Sequence, residues 1–352
     1  MNRNALIAGA LLRPESLRRL SLGDWENLVG WSRAEQLLPR IAFAAEQLKG
    51  LEIPPAVRRH LDSARLAWEG HRRAILWDVN RIATTLAPIE TPVVLLKGAA
   101  YLVAGLRPAP GRAFSDIDIM VRRETLDAVE TALLQTGWQM EELDAYDQHY
   151  YRTWMHELPP MQHAFRRTVL DVHHTIAPLT ARRAVDAETL FAAAAPVAGG
   201  PKLYVLAPVD MLLHAVIHLM QEGEFDKGLR DLFDIDQLLR QFGEEPRFWP
   251  ALLARSAEHG LDRPLFYAVT QLRRQFETPM PGEFLEEIAR RGPPWPAKQL
   301  MSAIFHAGIS GNSPRLARDF LYIRGHYMRM PLRLLVPHLA RKFRHRFDPA
   351  EA

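Results

Sequence analysis

The chain contains no cysteine, which excludes a disulfide framework, thiol catalysis and cysteine-bound zinc. Lysine is scarce: six of the 44 cationic residues are Lys and 38 are Arg. A GC-rich coding sequence produces the same bias, so no function follows from it. Long apolar runs are missing as well. Ala5–Leu12 is eight residues long, ends at Arg13 and lacks a small-residue cleavage site, so it reads neither as a transmembrane span nor as a signal peptide. Pro92–Leu106 is interrupted by Lys97 and reads better as strand, turn and helix. No fixed-period repeat is present. A soluble cytoplasmic protein is the expectation.

What is there is ordinary globular material. The 352 residues are 48% hydrophobic and 24% charged, enough apolar surface for two or three domains with real cores and too much for disorder. The net charge of +3 is unevenly placed. Arg324 to Arg346 holds seven Arg or Lys and no Asp or Glu, and removing seven from 44 leaves 37 cations against 41 acids. The body is therefore close to neutral, which argues against extended nucleic acid as a partner. The tail from Met328 to Phe347 mixes Leu332, Leu334, Leu335, Val336, Leu339 and Phe343 with Arg333, Arg341, Lys342, Arg344 and Arg346. It reads as a terminal helix packed back on a helical bundle with a charged outer side. Peripheral contact with an anionic membrane, or with RNA, is the alternative.

Hydrophobic periodicity divides the chain into three stretches. Residues 1–90 are helical, with caps at Ser21-Leu-Gly-Asp24 and a long helix from about Ala56 to Leu86 carrying Leu61, Ala64, Leu66, Ala67, Ile75, Leu76, Val79, Ile82 and Ala83 on its apolar side. Residues 91–200 form an α/β core. Thr91–Leu96 is a short buried strand, Ala99–Ala104 a short helix, Phe114–Val121 an alternating strand and Arg123–Gly137 a helix, and further strands follow between Trp138 and Ile176. Residues 201–352 turn helical again, with helices at Val209–Gln221, Lys227–Phe242, Phe248–His259, Pro264–Phe276 and Gly282–Arg291. The fold class is α+β and mostly helical: a small mixed sheet between helical flanks.

The sharpest chemical feature is Ser115-Asp116-Ile117-Asp118-Ile119. On a strand, side chains two apart share a face, with Cα atoms roughly 6–7 Å apart. Asp116 and Asp118 thus point one way while Ile117 and Ile119 enter the core. Two carboxylates at that spacing can converge on divalent ions, and hard oxygen donors suit Mg²⁺, with Mn²⁺ as the substitute. Asp171, in the alternating run Leu170–His173, is the candidate third acid and the candidate for deprotonating an attacking hydroxyl. Upstream, Leu96-Lys97-Gly98 places a glycine where a strand enters a helix, so that backbone can approach a phosphate. Lys97 and Arg112 are the accompanying positive charges.

Leu-Leu-Lys-Gly-Ala-Ala at 95–100, Arg-x-x-Ser-Asp-Ile-Asp-Ile at 112–119 and Leu-Asp-Val-His at 170–173 together resemble the nucleotidyltransferase superfamily of DNA polymerase beta-like fold. More closely, the chain is similar to bacterial nucleotidyltransferase-family proteins of uncharacterised substrate that carry Lys-Gly in place of Gly-Ser. The resemblance covers about Val93 to Ile176 and extends loosely over both flanks. It implies Gly98 near the phosphates, Asp116 and Asp118 on metal, and Asp171 as the third acid. Ala99 stands where the familiar motif has Ser, which removes a hydroxyl contact that Lys97 would replace. An NTP substrate and an unidentified hydroxyl acceptor follow as expected partners. Ser115, His214, His218, Lys227 and Arg230 complete the candidate nucleotide wall. The two histidines lie four apart on one helix, but Ala215 follows His214, so the His-Glu-x-x-His zinc-protease motif is absent. His173 shares the face of Asp171, and His174 points away. The reading from another class is a non-catalytic regulatory or scaffold partner with the same fold; a membrane-associated factor in surface-polysaccharide assembly, acting through the tail, is a third.

Overall fold

The computed structural model describes residues 2–140, 155–178, 180, 185–221, 223, 225–310, 314–337 and 339. The N-terminal helices are α1 (Arg3–Leu12), α2 (Leu22–Ala34), α3 (Leu38–Glu46) and α4 (Pro55–Leu86). Ser21 and Asp24 form a reciprocal capping box at the start of α2, satisfying two backbone donors that the first turn leaves orphaned. In α4, Pro55 occupies the first turn, where no backbone donor is needed. Its apolar stripe is discontinuous. Val57 and Leu61 are buried at one end and Ile75, Val79, Ile82, Ala83 and Leu86 at the other, whereas Leu66 is 59% exposed. α4 packs on α2 and α3 and also on the sheet's helices Lys97–Val103 and Leu126–Gln135, and between its buried ends Trp68 stacks edge-on against Phe43 and donates to Arg112 O.

The sheet combines β1 (Val93–Leu96), β2 (Ile117–Met120), β3 (Trp138–Met140), β4 (Met161–His163), β5 (Val169–His173), β6 (Ala195–Pro196) and β7 (Leu203–Val205) in the order β3-β4-β5-β2-β1-β7-β6. It is mixed, with β2–β5 and β1–β7 parallel and the remaining neighbours antiparallel. Short helices α5 (Lys97–Val103), α6 (Leu126–Gln135) and α7 (Ala187–Ala193) connect strands. The C-terminal layer is α8 (Pro208–Gln221), α9 (Gly228–Phe242), α10 (Phe248–Glu258), α11 (Asp262–Phe276), α12 (Gly282–Arg291), α13 (Trp295–Ile309) and α14 (Arg315–Arg329). The bounds of α8 to α12 lie close to the helices read from periodicity, because each apolar face is cleanly spaced; periodicity does not mark α13 and α14, since Pro293, Pro294, Pro296 and Pro314 interrupt the pattern there. The α+β, mostly helical architecture is as expected. One contiguous apolar core runs from α1 through the sheet to α14.

Two expectations meet the edge of the described residues. Part of the segment between Trp138 and Ile176 lies outside them, as do Arg341, Lys342, Phe343, Arg344 and Arg346 of the tail. Within them, α14 stops at Arg329, Met330 is extended and Pro331 follows, so the helix does not run unbroken through the tail. Met330 and Leu335 are buried against Met155. Among the described residues, no helix is long and apolar enough to cross a membrane.

One buried acid in this scaffold carries a pH prediction. Glu35 follows α2, is buried, and accepts from Arg3 at 2.7 Å. Burial pushes its carboxyl up to about 7, with Arg3 only partly offsetting the desolvation. The folded state therefore holds a proton that the unfolded chain releases from about pH 4.5, and stability is lost as pH rises from there through 7. Glu35→Gln keeps an acceptor for Arg3 without the charge. Thermal melts should find the variant more stable than wild type by about 2–3 kcal/mol at pH 8.5, with the two indistinguishable at pH 4.5. A gap of equal size at both pH values would refute this account.

Candidate active site

The site is set by strand register. In the antiparallel β1–β2 pair Leu96 lies opposite Asp118, and in the parallel β2–β5 pair Asp118 lies opposite Asp171. Register partners share a face of the sheet, so residues 53 positions apart in sequence (118 and 171) present carboxylates side by side. Asp116 precedes β2 by one residue on the same face. It is partly exposed and its Oδ1 accepts from Ser115 Oγ at 3.0 Å. Ile117 and Ile119 are fully buried on the other side. The structure thus gathers Asp116, Asp118 and Asp171.

Asp118 is only 2% exposed, a burial that the alternating pattern did not reveal. Two groups compensate it. Lys97 Nζ donates to Asp118 Oδ1 at 2.9 Å, and His173 Nε2 lies 3.2 Å from the same oxygen. Burial alone would raise the Asp118 carboxyl, but Lys97 and His173 outweigh it and hold the group well below the usual carboxylate range. Lys97 reaches this position at a cost. Its φ is +45°, the left-handed region that a non-glycine residue adopts only under local constraint. Asp171 has no comparable partner: its Oδ1 is buried without a hydrogen bond among the described residues. Burial, followed by the nearby Asp118 and Glu157, pushes its carboxyl up to about 8.

Lys97, Asp116 and Asp171, with the buried Asp118 behind them, lie at a cavity of about 360 Å³ whose lining also includes Arg112, Lys227 and Arg230. A larger cavity of about 490 Å³, between Gly260–Pro264, Arg291 and Tyr327, contains none of the carboxylates; the smaller one holds the chemistry. Arg112 lies at its wall as half of a buried network rather than as a loose cation. Its Nε donates to Asp234 Oδ2 at 2.7 Å, and Arg40 donates to Asp234 Oδ1. Burial would raise the Asp234 carboxyl, yet Arg112, Arg40 and Arg230 keep it lowered. Arg230 is likewise engaged, with Asp231 at 2.8 Å and Gln36 at 2.6 Å.

The glycine of the turn is explained by this arrangement. A Cβ on Gly98 would lie 2.1 Å from Arg112 Nη1 and 2.9 Å from its Cζ, so the close approach made at this position is that of the guanidinium. Gly98→Ala should cost about 1–3 kcal/mol by overpacking. In an Arg112→Ala background, where the Phe114 ring at 3.3 Å is the remaining tight neighbour, the same change should cost markedly less, and denaturant titration of the four proteins measures the difference. Additive effects would show that the clash does not govern this position.

The two histidines of α8 separate. His214 is buried and lines a second, smaller cavity of about 70 Å³ behind Lys97, whereas His218 lines both cavities. Burial, reinforced by Lys97, holds His214 well below the ordinary imidazole value. His174 is packed, as expected, and burial lowers it to about 4. Sequence reasoning missed Arg40, His156 and Glu157. Arg40 lies 194 residues from the Asp234 it pairs with, and no local pattern marks it. His156 and Glu157 sit just before Pro159-Pro160, where strand alternation breaks.

No curated protein and no solved structure matches the chain significantly. A family model described as uncharacterised nucleotidyltransferase matches residues 21–277, a span that holds all three carboxylates, the Lys-Gly turn and both walls of the cavity. With most of its length and the whole site inside that match, the chain belongs to the uncharacterised nucleotidyltransferase family.

Proposed function

We propose that the chain is a metal-dependent nucleotidyltransferase that moves a nucleoside monophosphate from an NTP to a hydroxyl of a small molecule or protein. The observation that carries this reading is the in-register pair Asp118–Asp171 with Asp116 beside it, at the edge of a cavity that also holds cationic side chains. The residues fit Mg²⁺: three hard oxygen donors converge, and one buried oxygen of Asp171 lacks a partner among the described residues. Asp116, Asp118 and Asp171 would hold it. When bound, Mg²⁺ supplies charge neutralisation at the α-phosphate and acidifies the incoming hydroxyl.

The chain's own residues do the rest. Lys97, Arg112, Lys227 and Arg230 offset the triphosphate charge in a partly enclosed site. Asp171 takes the proton of the attacking hydroxyl. The new bond joins that oxygen to the α-phosphorus, the bond from the α-phosphorus to the bridging oxygen breaks, and pyrophosphate leaves. The helical layers enclose the acceptor.

Calorimetric titration with each NTP, with Mg²⁺ or with EDTA, tests the binding half. Saturable heat for at least one NTP, dependent on the metal, is expected. Pyrophosphate release with α-labelled NTP and pooled hydroxyl acceptors tests the transfer half. The Lys97–Asp118 ion pair favours a second reading, a non-catalytic regulatory partner whose internal cation already neutralises the site. Binding without pyrophosphate release would assign that role. Absence of any Mg²⁺-dependent NTP binding would remove the enzymatic reading.

A further inference from the structure

Behind the carboxylates, the segment Met155–Leu158 runs along β5. Leu158 N donates to Val172 O at 2.9 Å, His174 N donates to His156 O at 2.8 Å, and Glu157 bridges His173 in antiparallel fashion. This pairing brings His156, Glu157 and His173 together, with one ligand-capable atom of each within 4.8 Å of the others. His173 Nδ1 lies 3.2 Å from Glu157 Oε2, and His156 Nε2 lies 3.9 Å from that same oxygen. The three residues line the cavity of about 70 Å³.

Two features set this cluster apart from a packed polar corner. His173 is 2% exposed, yet its Nδ1 makes no aligned hydrogen bond among the described residues; it faces the Glu157 carboxylate off the line that a ring N–H would need. His156 Nδ1 is also buried without a partner. Meanwhile Nε2 of His173 is taken by Asp118. A carboxylate holding one ring nitrogen fixes the tautomer and turns the other nitrogen's lone pair outward, the arrangement that accompanies metal-bound histidine.

We propose that His156, Glu157 and His173 form a second cation site, of the zinc class, distinct from the oxygen-ligand site at Asp116, Asp118 and Asp171. Two imidazoles and one carboxylate are a borderline-soft donor set that Mg²⁺ does not favour and zinc does. Tetrahedral zinc with bonds of about 2.0–2.1 Å places its ligands roughly 3.4 Å apart, so the present spacing closes with small side-chain rotations. Three protein ligands leave one position open toward the cavity, which His214 and His218 also line. Around the cavity Glu157 and Asp118 oppose Lys97 and Arg329, so the attraction for a dication comes from direct ligation by the Glu157 carboxylate. Asp118 then acts at both sites, as a ligand on one side and as the orienting carboxylate of His173 on the other.

The test does not depend on nucleotidyl transfer. Full-length protein, stripped with chelator, is titrated with Co²⁺ and separately with Zn²⁺, reading the visible bands of four-coordinate Co²⁺ and zinc retained after gel filtration. One high-affinity Co²⁺ per chain with intense visible bands is expected. His156→Ala and Glu157→Gln should abolish the bands and weaken zinc binding on the order of a hundredfold or more, while Asp116→Ala retains both. Glu157→Gln is isosteric and carries the test if His156→Ala folds poorly, as melting in chelator will reveal. Bands that survive both variants, bands lost in Asp116→Ala, or no tight Co²⁺ or Zn²⁺ at all would overturn the proposal. In the last case a proton on His173, between Asp118 and Glu157, fills the role of the ion.

Discussion

Asp234→Ala should destabilise the protein by about 3–5 kcal/mol, the cost of leaving a buried charge unpaired. Asp234 is 3% exposed, Arg40 4% and Arg112 6%, and Asp234 is the acid that both guanidiniums share. Removing it leaves two nearly buried cations without their shared acid, Arg40 in the interior and Arg112 at the wall of the cavity of about 360 Å³. Arg40 comes from α3, Arg112 from the loop before β2 and Asp234 from α9, so the same change loosens the N-terminal helices, the sheet and the C-terminal layer from one another. A fall in melting temperature on the order of 10 °C is expected, with a smaller fall for Asp234→Asn, which keeps an acceptor. Differential scanning calorimetry makes the measurement. A shift of under a degree for Asp234→Ala would mean that water already reaches these groups and that the network is not structural.

The second large effect separates chemistry from folding. Asp116 is partly exposed and its bond to Ser115 is local. Asp116→Ala should therefore leave stability within about 0.5 kcal/mol of wild type. Its effect on nucleotidyl transfer should be a loss on the order of 10²–10³-fold, the usual consequence of removing one electrostatic contact made to the transition state. Asp118→Ala is the less informative variant: it unpairs Lys97 and His173, and lost activity would be confounded with lost structure. Wild-type rates for a well-folded Asp116→Ala would defeat the proposed role of the three acids.

The contrast between Asp116 and Asp118 marks how far the sequence is legible. Strict alternation from Asp116 to Ile119 is visible because one side of β2 must be apolar. The same alternation around Asp171 places the third acid, since period-two patterning encodes a face. The burial of Asp118 is not visible, because it comes from His173 and Lys97 meeting one oxygen on a neighbouring strand and turn. Arg112 illustrates the same gap. Its position before the acidic strand is readable, but its fixed pairing with Asp234 depends on how α9 docks. His214 and His218, four residues apart on α8, read alike in sequence, and only their packing sends one behind Lys97 and leaves the other at both cavities. The helices from Pro208 to Arg291 are legible nearly to their ends, because amphipathic spacing is local information, whereas Trp295–Ile309 and Arg315–Arg329 are obscured by the prolines that precede them.

The pairing of β2 with β5 has a consequence for divergence. Parallel neighbours cannot be joined by a tight hairpin; the polypeptide has to leave and come back. Here the detour from Val121 to Thr168 supplies His156 and Glu157 on its return. Changes in the loops of that excursion spare the alignment of Asp118 with Asp171, whereas β4, which pairs with β5, and the buried residues of α6 help to hold it. Related chains can therefore rewrite what stands opposite the acids while inheriting the acids themselves unchanged.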